Sequence, residues 1–262
     1  MKRYITLYIY FIKFSFSRAL EFRLDFFFRI IMDIIYYIVQ FTFFKILYLH
    51  TNTIGDWNFD QIKIFISGFI LLDAINMTFF SNNTWWLPIY INKGMLDFYL
   101  TKPVSSFFFL TMRDFAANSF FNLLIAFGIF IYQFNVTTLN FSLIDVILYF
   151  LLIFNGAIVY NLIHIILLTP SFWTSSARGF NELFYSMTHI MERPDQIYKG
   201  WIRLVFTFIV PFIIMTSLPA RILFNENPLY HLSIIVLMTV VFWTLTLFLW
   251  NRGLRAYSSA SS

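Results

Sequence analysis

The sequence predicts an all-α integral membrane protein. It has six transmembrane helices, an N-terminal interfacial helix, a short amphipathic helix in a basic loop, and a re-entrant hairpin before the last span. Three observations predict this. First, 60% of the 262 residues are hydrophobic and 12% are charged, against roughly 45–50% and about 25% in a soluble domain. Second, apolar stretches long enough to cross a bilayer recur at 27–49, 62–83, 104–131, 142–168 and 231–250. Third, the Lys and Arg residues fall on one side of those stretches. The composition excludes a soluble globular enzyme and a disordered chain. With no Cys, disulfides, thiolate metal sites and a Cys nucleophile are excluded as well. No linker or separate soluble domain is visible, so residues 1–262 read as one domain.

The N-terminal stretch, about 4–23, is amphipathic. Thr6, Tyr10, Lys13, Ser17 and Glu21 share a face, and Phe11, Ile12, Phe14 and Phe16 cover much of the remainder. That pattern suits a helix lying on the cytoplasmic leaflet. Lys2 and Arg3 precede it, but no small-residue cleavage site follows, so no cleaved signal is expected.

Lys2, Arg3, Lys13, Arg18, Arg23 and Arg29 lead into the first span. Lys93, Lys102 and Arg113 lie between the second and third, and Arg252 and Arg255 follow the last. The loops at 50–61 and 132–141 carry no Lys or Arg. Both termini are therefore expected in the cytoplasm, which requires an even number of spans. The net charge of +5 is spent on this orientation and does not imply nucleic acid.

Parity bears on two ambiguous stretches, 171–191 and 201–222, because only one can cross. Ser171–Met191 lies between Pro170 and Pro194 and as a helix would be about 31 Å long. Ser175, Arg178, Glu182, Ser186 and His189 fall in one narrow sector of it, and Arg178 and Glu182 are spaced to pair. A polar stripe on an apolar helix suits a fifth span facing a bundle interior. Residues 195–222, broken by Pro211 and Pro219, then dip in and return. The alternative lays 171–191 flat on the cytoplasmic surface and makes 201–222 the span. Arg193, Lys199 and Arg203, which the first reading puts outside, speak for that alternative.

Within the spans, polar groups are costly, about 2.5–3.5 kcal/mol for a charge at mid-span. Asp73 and Asn76 lie in the second, Asp114, Asn118 and Asn122 follow at i, i+4, i+8 in the third, and Asn161 and His164 share a side of the fourth. They form a path or subunit contact, or they satisfy one another and hold the bundle together. Asp73 and Asn76 join the 171–191 stripe as candidates for a translocation path or subunit contact. His164 reads as a packed residue. No nucleotide-binding loop, paired-His metal motif or nucleophile elbow is present.

The basic turn from Pro88 to Pro103 can place Ile91, Met95, Leu96 and Leu100 on one apolar side, which a partner could grip. Its run Ile91-x-x-Gly94-x-Leu96-Asp97-x-x-Leu100-x-Lys102-Pro103 resembles the coupling-helix signature of type 2 permeases of ATP-binding-cassette (ABC) exporters, and more narrowly a branch of small six-span permeases. Gly55-Asp56-Trp57, Ser171-Phe172-Trp173, Val210-Pro211, Pro219-Ala220 and the tail Gly253-Leu254-Arg255-Ala256-Tyr257-Ser258-Ser259-Ala260-Ser261 are similar to other parts of that branch. Residues 192–200 depart from it in being more charged.

The resemblance implies a permease subunit in a bacterial cytoplasmic (inner) membrane, with both termini cytoplasmic. It implies a coupling helix at about 88–103, with Ile91, Asn92, Lys93, Gly94, Leu96, Asp97, Lys102 and Pro103 meeting the ATPase. The partners it implies are two copies of a cytoplasmic ABC ATPase, a second permease chain (identical or paralogous) and membrane lipids. This chain would bind no cofactor or metal and hold no catalytic residue; ATP and Mg would sit on the partner. The cargo would be a lipid, glycan, peptide or drug. Two rival readings are a gradient-driven secondary transporter and a membrane-embedded lipid-modifying enzyme. The first should show repeated halves, and the second a nucleophile, base or metal cluster at membrane depth; the sequence shows none of these.

Overall fold

The computed structural model describes residues 2–19, 23–174 and 178–257, with the side chains of 2, 19, 23–26 and 178 left aside. Among the described residues the chain forms twelve α-helices and no named strand. They are α1 (Lys2–Ala19), α2 (Arg23–Tyr48), α3 (Phe59–Phe79), α4 (Ser81–Asn92), α5 (Leu96–Leu100) and α6 (Ser106–Met112). Then come α7 (Phe120–Val136), α8 (Leu143–Leu168), α9 (Arg178–Thr188), α10 (Gly200–Leu204), α11 (Ile213–Leu223) and α12 (Pro228–Ala256). Four segments are long and apolar enough to cross a membrane: Phe27–Tyr48, Phe59–Phe79, Leu143–Phe172 and Pro228–Ala256.

Contacts define two ends of the bundle. The distal end carries residues 49–58 and the starts of α3, α8 and α12. The proximal end carries α5 and the end of α12. Distal helix starts are fixed by capping boxes. Asn58 and Gln61 exchange side-chain and backbone hydrogen bonds at α3, as do Ser142 and Asp145 at α8. The Tyr48 hydroxyl donates to the Trp57 carbonyl at 2.7 Å and ties the end of α2 to the loop that starts α3. α3 is the most enclosed span and packs on α7 and α8; α8 in turn packs on α11 and α12.

The expected third span, 104–131, is not one helix. Residues 113–119 break it between α6 and α7. The cause is a side chain 31 positions earlier. Asn83 Oδ1 accepts from the Asp114 backbone N–H at 2.7 Å, and Asn83 Nδ2 donates to the Asp114 carbonyl at 3.0 Å. One amide thus replaces the helical partners of a whole residue. The Ala116 N–H donates to the Thr78 carbonyl at 2.9 Å, and Thr78 Oγ1 donates to the Ser119 carbonyl at 3.2 Å.

Ser171–Met191 is not one helix either. A 3₁₀ turn ends at Phe172, and α9 has only 11 residues, about 16 Å. The segment nevertheless runs from one end to the other. Phe172 packs on Trp250 at the proximal end, at 5.7 Å between ring centroids. His164 Nε2 meets Asn181 Oδ1 at 2.8 Å and Phe184 packs on Tyr160, so α9 climbs along α8. At the distal end, Gln196 Oε1 accepts from the Asp56 N–H at 2.8 Å.

Gly200–Ile209 and Ile213–Leu223 then meet at 102°, with Pro211 in the bend. Both limbs end distally. Asp195 beside the first pairs with Arg221 Nε at 3.0 Å, and Phe224 after the second packs on Trp57 at 5.3 Å. The pair therefore enters and returns. Its turning point lies at the middle of α8, where Met215 meets Gly156. Among the described residues α2, α3, α6–α7, α8 and α12 each run between the two ends, and α9 lies along α8.

Pro219 explains the fit at Gly156. Lacking an N–H, it leaves the Met215 carbonyl without its helical donor. That carbonyl lies where a side chain on Gly156 would stand, 2.5 Å from an added Cβ. Gly156→Leu should therefore force α8 and α11 apart and cost about 1–3 kcal/mol, read as a lowered Tm in detergent. Gly128→Leu, with nothing within 4 Å of its added Cβ, should leave Tm unchanged.

Candidate functional site

Two places gather the residues of interest. The first is the proximal cluster. Gly94 at φ +70° ends α4 and turns the chain into α5, so the Pro88–Pro103 stretch is two helices with a left-handed corner, a conformation glycine adopts without strain. Ile91 (5% exposed) and Leu96 (0%) are buried with Leu87, Tyr99, Leu168, Phe172 and Trp250. This corrects the expectation that Ile91, Met95, Leu96 and Leu100 present one side to a partner. Two of the four anchor the corner to the chain's own core. The outward residues are Asn92, Lys93, Met95, Phe98, Leu100, Lys102 and Pro103. Phe98, which apolar periodicity does not single out, is the most exposed large apolar residue on α5 at 65%. The Lys102 ammonium sits 4.2 Å from its ring centre. Asp97 is half-buried beside Tyr257. Burial raises the Tyr257 phenol above its ordinary value, and the Asp97 carboxylate adds to that rise.

The same cluster joins three separate stretches of sequence. A Cβ on Gly253 would stand 2.3 Å from the Phe172 ring, so α12 can close on residues 169–172 only with glycine there. Phe172 then packs edge-on to Trp250 and Tyr257. The Ile91–Pro103 run, Ser171-Phe172-Trp173 and the Gly253–Tyr257 tail thus share one packed volume.

The second place is a cavity of about 290 Å³ at mid-depth, between α2, α3 and the α9 passage. Asp33, Asp73, Tyr36, Tyr185, His189 and Glu192 line it. Glu192 is its polar centre. It accepts from the Tyr36 hydroxyl at 3.2 Å and from Gln40 Nε2 at 3.1 Å, and meets His189 Nδ1 at 2.7 Å. Asp33 accepts from Asn122 Nδ2, which ties α2 to α7. Of the sequence candidates, Asp73 and His189 reach this cavity. Asn76 does not; it is 2% exposed and its Nδ2 donates to the Leu72 carbonyl of its own helix at 3.1 Å. Glu182 and Ser186 are exposed on the side of α9 away from Asn181 and Phe184, so this part of the stripe does not face the chain's own interior as expected. Ser175 and the Arg178 side chain lie outside the described residues. His164 is packed as expected, stacked on Phe184 at 4.0 Å. Glu192, Tyr36 and Gln40 were missed. The available signal was Asp33, Tyr36, Tyr37 and Gln40 at helical spacing in an otherwise apolar span. No group of three or more His, Asp or Glu able to hold a metal is found among the described residues.

The family model of the ABC-2 family transporter protein matches residues 34–261. The chain therefore belongs to this family and is a type 2 ABC transporter permease, a multi-pass membrane protein of transport. Comparison with curated proteins and with solved structures finds no match.

The packing at Gly253 makes a test of the proximal cluster. Gly253→Leu should expel the Phe172 ring and expose the α5 corner. Limited proteolysis near Lys93 and Lys102 should then become several-fold faster than in the parent. An unchanged cleavage rate would contradict the role given to this contact.

Proposed function

We propose that this permease couples ATP binding and hydrolysis on a separate cytoplasmic ATPase to export of an amphiphilic or hydrophobic cargo. In this reading the proximal end is cytoplasmic, and the outward face of α5 is the docking surface. One observation carries it. α5 is a five-residue helix held from within by Leu96 and Tyr99, yet it turns Phe98, Met95 and Leu100 outward between Lys93 and Lys102. An exposed aromatic flanked by cations on a rigid corner suits a partner pocket. Asn92, Gly94, Asp97 and Pro103 shape the corner, and Ile91 and Leu96 transmit its position to α8 and α12.

ATP and Mg would be held on the partner, in two copies, and a second permease chain would complete the pathway. The exposed faces of α2 and of α9, with Glu182 and Ser186, are available to that second chain. Asp73, His189 and Glu192 would line the cargo route, and the tyrosines around them suit a cargo with both polar and apolar parts. The setting would be a bacterial inner membrane with both termini inside. The absence of repeated halves in the sequence speaks against a secondary transporter.

Phe98→Asp should reduce co-purification of the ATPase about 30-fold, the size of a hot-spot loss. Tm should change little, because Phe98 is 65% exposed and meets the packed corner at the edge of Tyr99. Leu96→Asp should instead lower Tm. Equal ATPase recovery by Phe98→Asp and the parent would end the docking assignment.

Orientation has its own test, helped by the lack of Cys. A lone Cys replacing Lys199 should react with an impermeant thiol reagent in intact cells. One replacing Lys102 should react only after permeabilisation. The reverse pattern would invert the topology.

A further inference from the structure

Beside the α5 corner lies a pocket that borders the docking face at Lys93 and Met95 and whose other lining residues the docking and cargo readings leave unused. It has a volume of about 350 Å³ and sits between the end of α1, α4 and the break in the third passage. Arg18, Lys93 and Arg113 line it, with Asp114 as the only carboxylate among its lining residues and Trp86 and Tyr90 as its aromatic walls. We infer that this pocket binds a phosphate-bearing anion, and specifically the headgroup of an anionic membrane lipid.

The charge count comes first. Asp114 receives Arg18 Nη2 at 3.1 Å and Arg113 Nη2 at 3.4 Å, so one negative charge is shared by two guanidinium groups. Lys93 has no ion-pair partner among the described residues. Two positive charges remain uncompensated.

Preorganisation comes second. Arg113 is held by the Tyr90 hydroxyl at 2.9 Å and lies 5.2 Å and 4.8 Å from the ring centres of Tyr90 and Tyr99. It is fixed before any ligand arrives, which lowers the ordering cost of binding. A guanidinium offers two parallel donors to phosphate oxygens, and Lys93 adds a mobile point charge.

Location decides between lipid and solute. Trp85 and Trp86 are about half exposed, at 47% and 45%, as interfacial anchors are. The neighbouring α1 leaves Ile9 and Phe14 uncovered at 47% and 69%. A headgroup in the pocket would lay its acyl chains along that uncovered apolar surface. A soluble phosphate would leave it bare. Basic pockets between helices on the cytoplasmic side are the setting in which anionic headgroups bind.

The inference rests on the proximal end being cytoplasmic, which the Cys labelling tests separately, and not on transport or ATPase docking. The full chain, purified in neutral detergent, is titrated by native mass spectrometry with dimyristoyl phosphatidylglycerol, dimyristoyl phosphatidylcholine or soluble glycerol phosphate. Phosphatidylglycerol should bind at least about tenfold more tightly than phosphatidylcholine. Glycerol phosphate should fail to displace it at equal concentration. Lys93→Gln and Arg18→Gln should each weaken phosphatidylglycerol about fivefold and leave phosphatidylcholine unchanged. Lys45→Gln, at the distal end of α2, should change neither.

Equal binding of the two lipids would overturn the inference, as would an effect of Lys45→Gln equal to that of Lys93→Gln. Displacement by glycerol phosphate alone would assign the pocket to a soluble phosphate compound and overturn the lipid. If Arg18→Gln lowers Tm, Lys93→Gln decides, since its side chain is exposed and supports no ion pair.

Discussion

In a bilayer, a backbone N–H or C=O that leaves the helical ladder can find its partner only in protein. This constraint organises the molecule. Several of the described departures from helix are answered by a named group. Asn83 covers Asp114. Ser217 Oγ accepts from the Asp195 N–H at 3.2 Å, and Thr216 Oγ1 donates to the Met191 carbonyl at 3.1 Å. The glycine at 156 lets the free carbonyl of Met215 approach a second backbone. Asn83, Thr78, Thr216 and Ser217 thus act as splints for broken backbone. The cavity at Asp33, Asp73 and Glu192 instead turns carboxyl groups toward an open space at mid-depth.

The distal end shows the same economy with ions. Asp195 is wholly buried and paired with both Arg221 and Arg203. Arg221 also reaches Glu226, which accepts from Trp57 Nε1 at 2.8 Å. The network ties the first distal loop, the re-entrant pair and the start of α12 into one block. Removing one partner from a buried pair leaves a bare charge and costs about 3–5 kcal/mol. The partly exposed Lys63–Asp60 pair nearby, on one turn of α3, is of the kind worth about 0.3–0.5 kcal/mol. The charges of residues 192–200 that set this chain apart from the branch it resembles are thus partly absorbed by structure, through Asp195 and Glu192.

Much of the fold was legible because membrane spans are written in composition. α2, α3, α8 and α12 lie where long apolar runs place them, and Pro211 marks the re-entrant bend. What stayed hidden was of two kinds. The break at 113–119 runs through Arg113, Asp114, Asn118 and Ser119, a polar stretch that spacing alone reads as one face of a span, and its partner Asn83 lies far away in sequence. α9 is placed by its packing on α8, through His164 and Asn181, a contact that periodicity cannot register. The site was less legible than the fold. Apolar spacing cannot distinguish residues buried in the chain's own core, such as Ile91 and Leu96, from residues such as Phe98 that await another surface. Glu192 was hidden because its partners on α2 lie more than 150 positions away.

The uninterrupted length of α12 has a mechanical consequence. Its 29 residues make a rod about 43 Å long. At one tip, His231 Nδ1 sits 2.6 Å from the Glu226 carbonyl of the ionic block. At the other, Trp250 and Gly253 are wedged into the α5 corner. Between them, Asn155 Nδ2 donates to Thr239 Oγ1 at 2.9 Å, and the Thr246 hydroxyl meets the Leu162 carbonyl at 3.5 Å, pinning the rod to α8. A stiff member pinned near its middle is a lever. A sideways stroke at the corner swings the opposite tip the other way, carrying the block there with it, and no hinge lies between to absorb the motion.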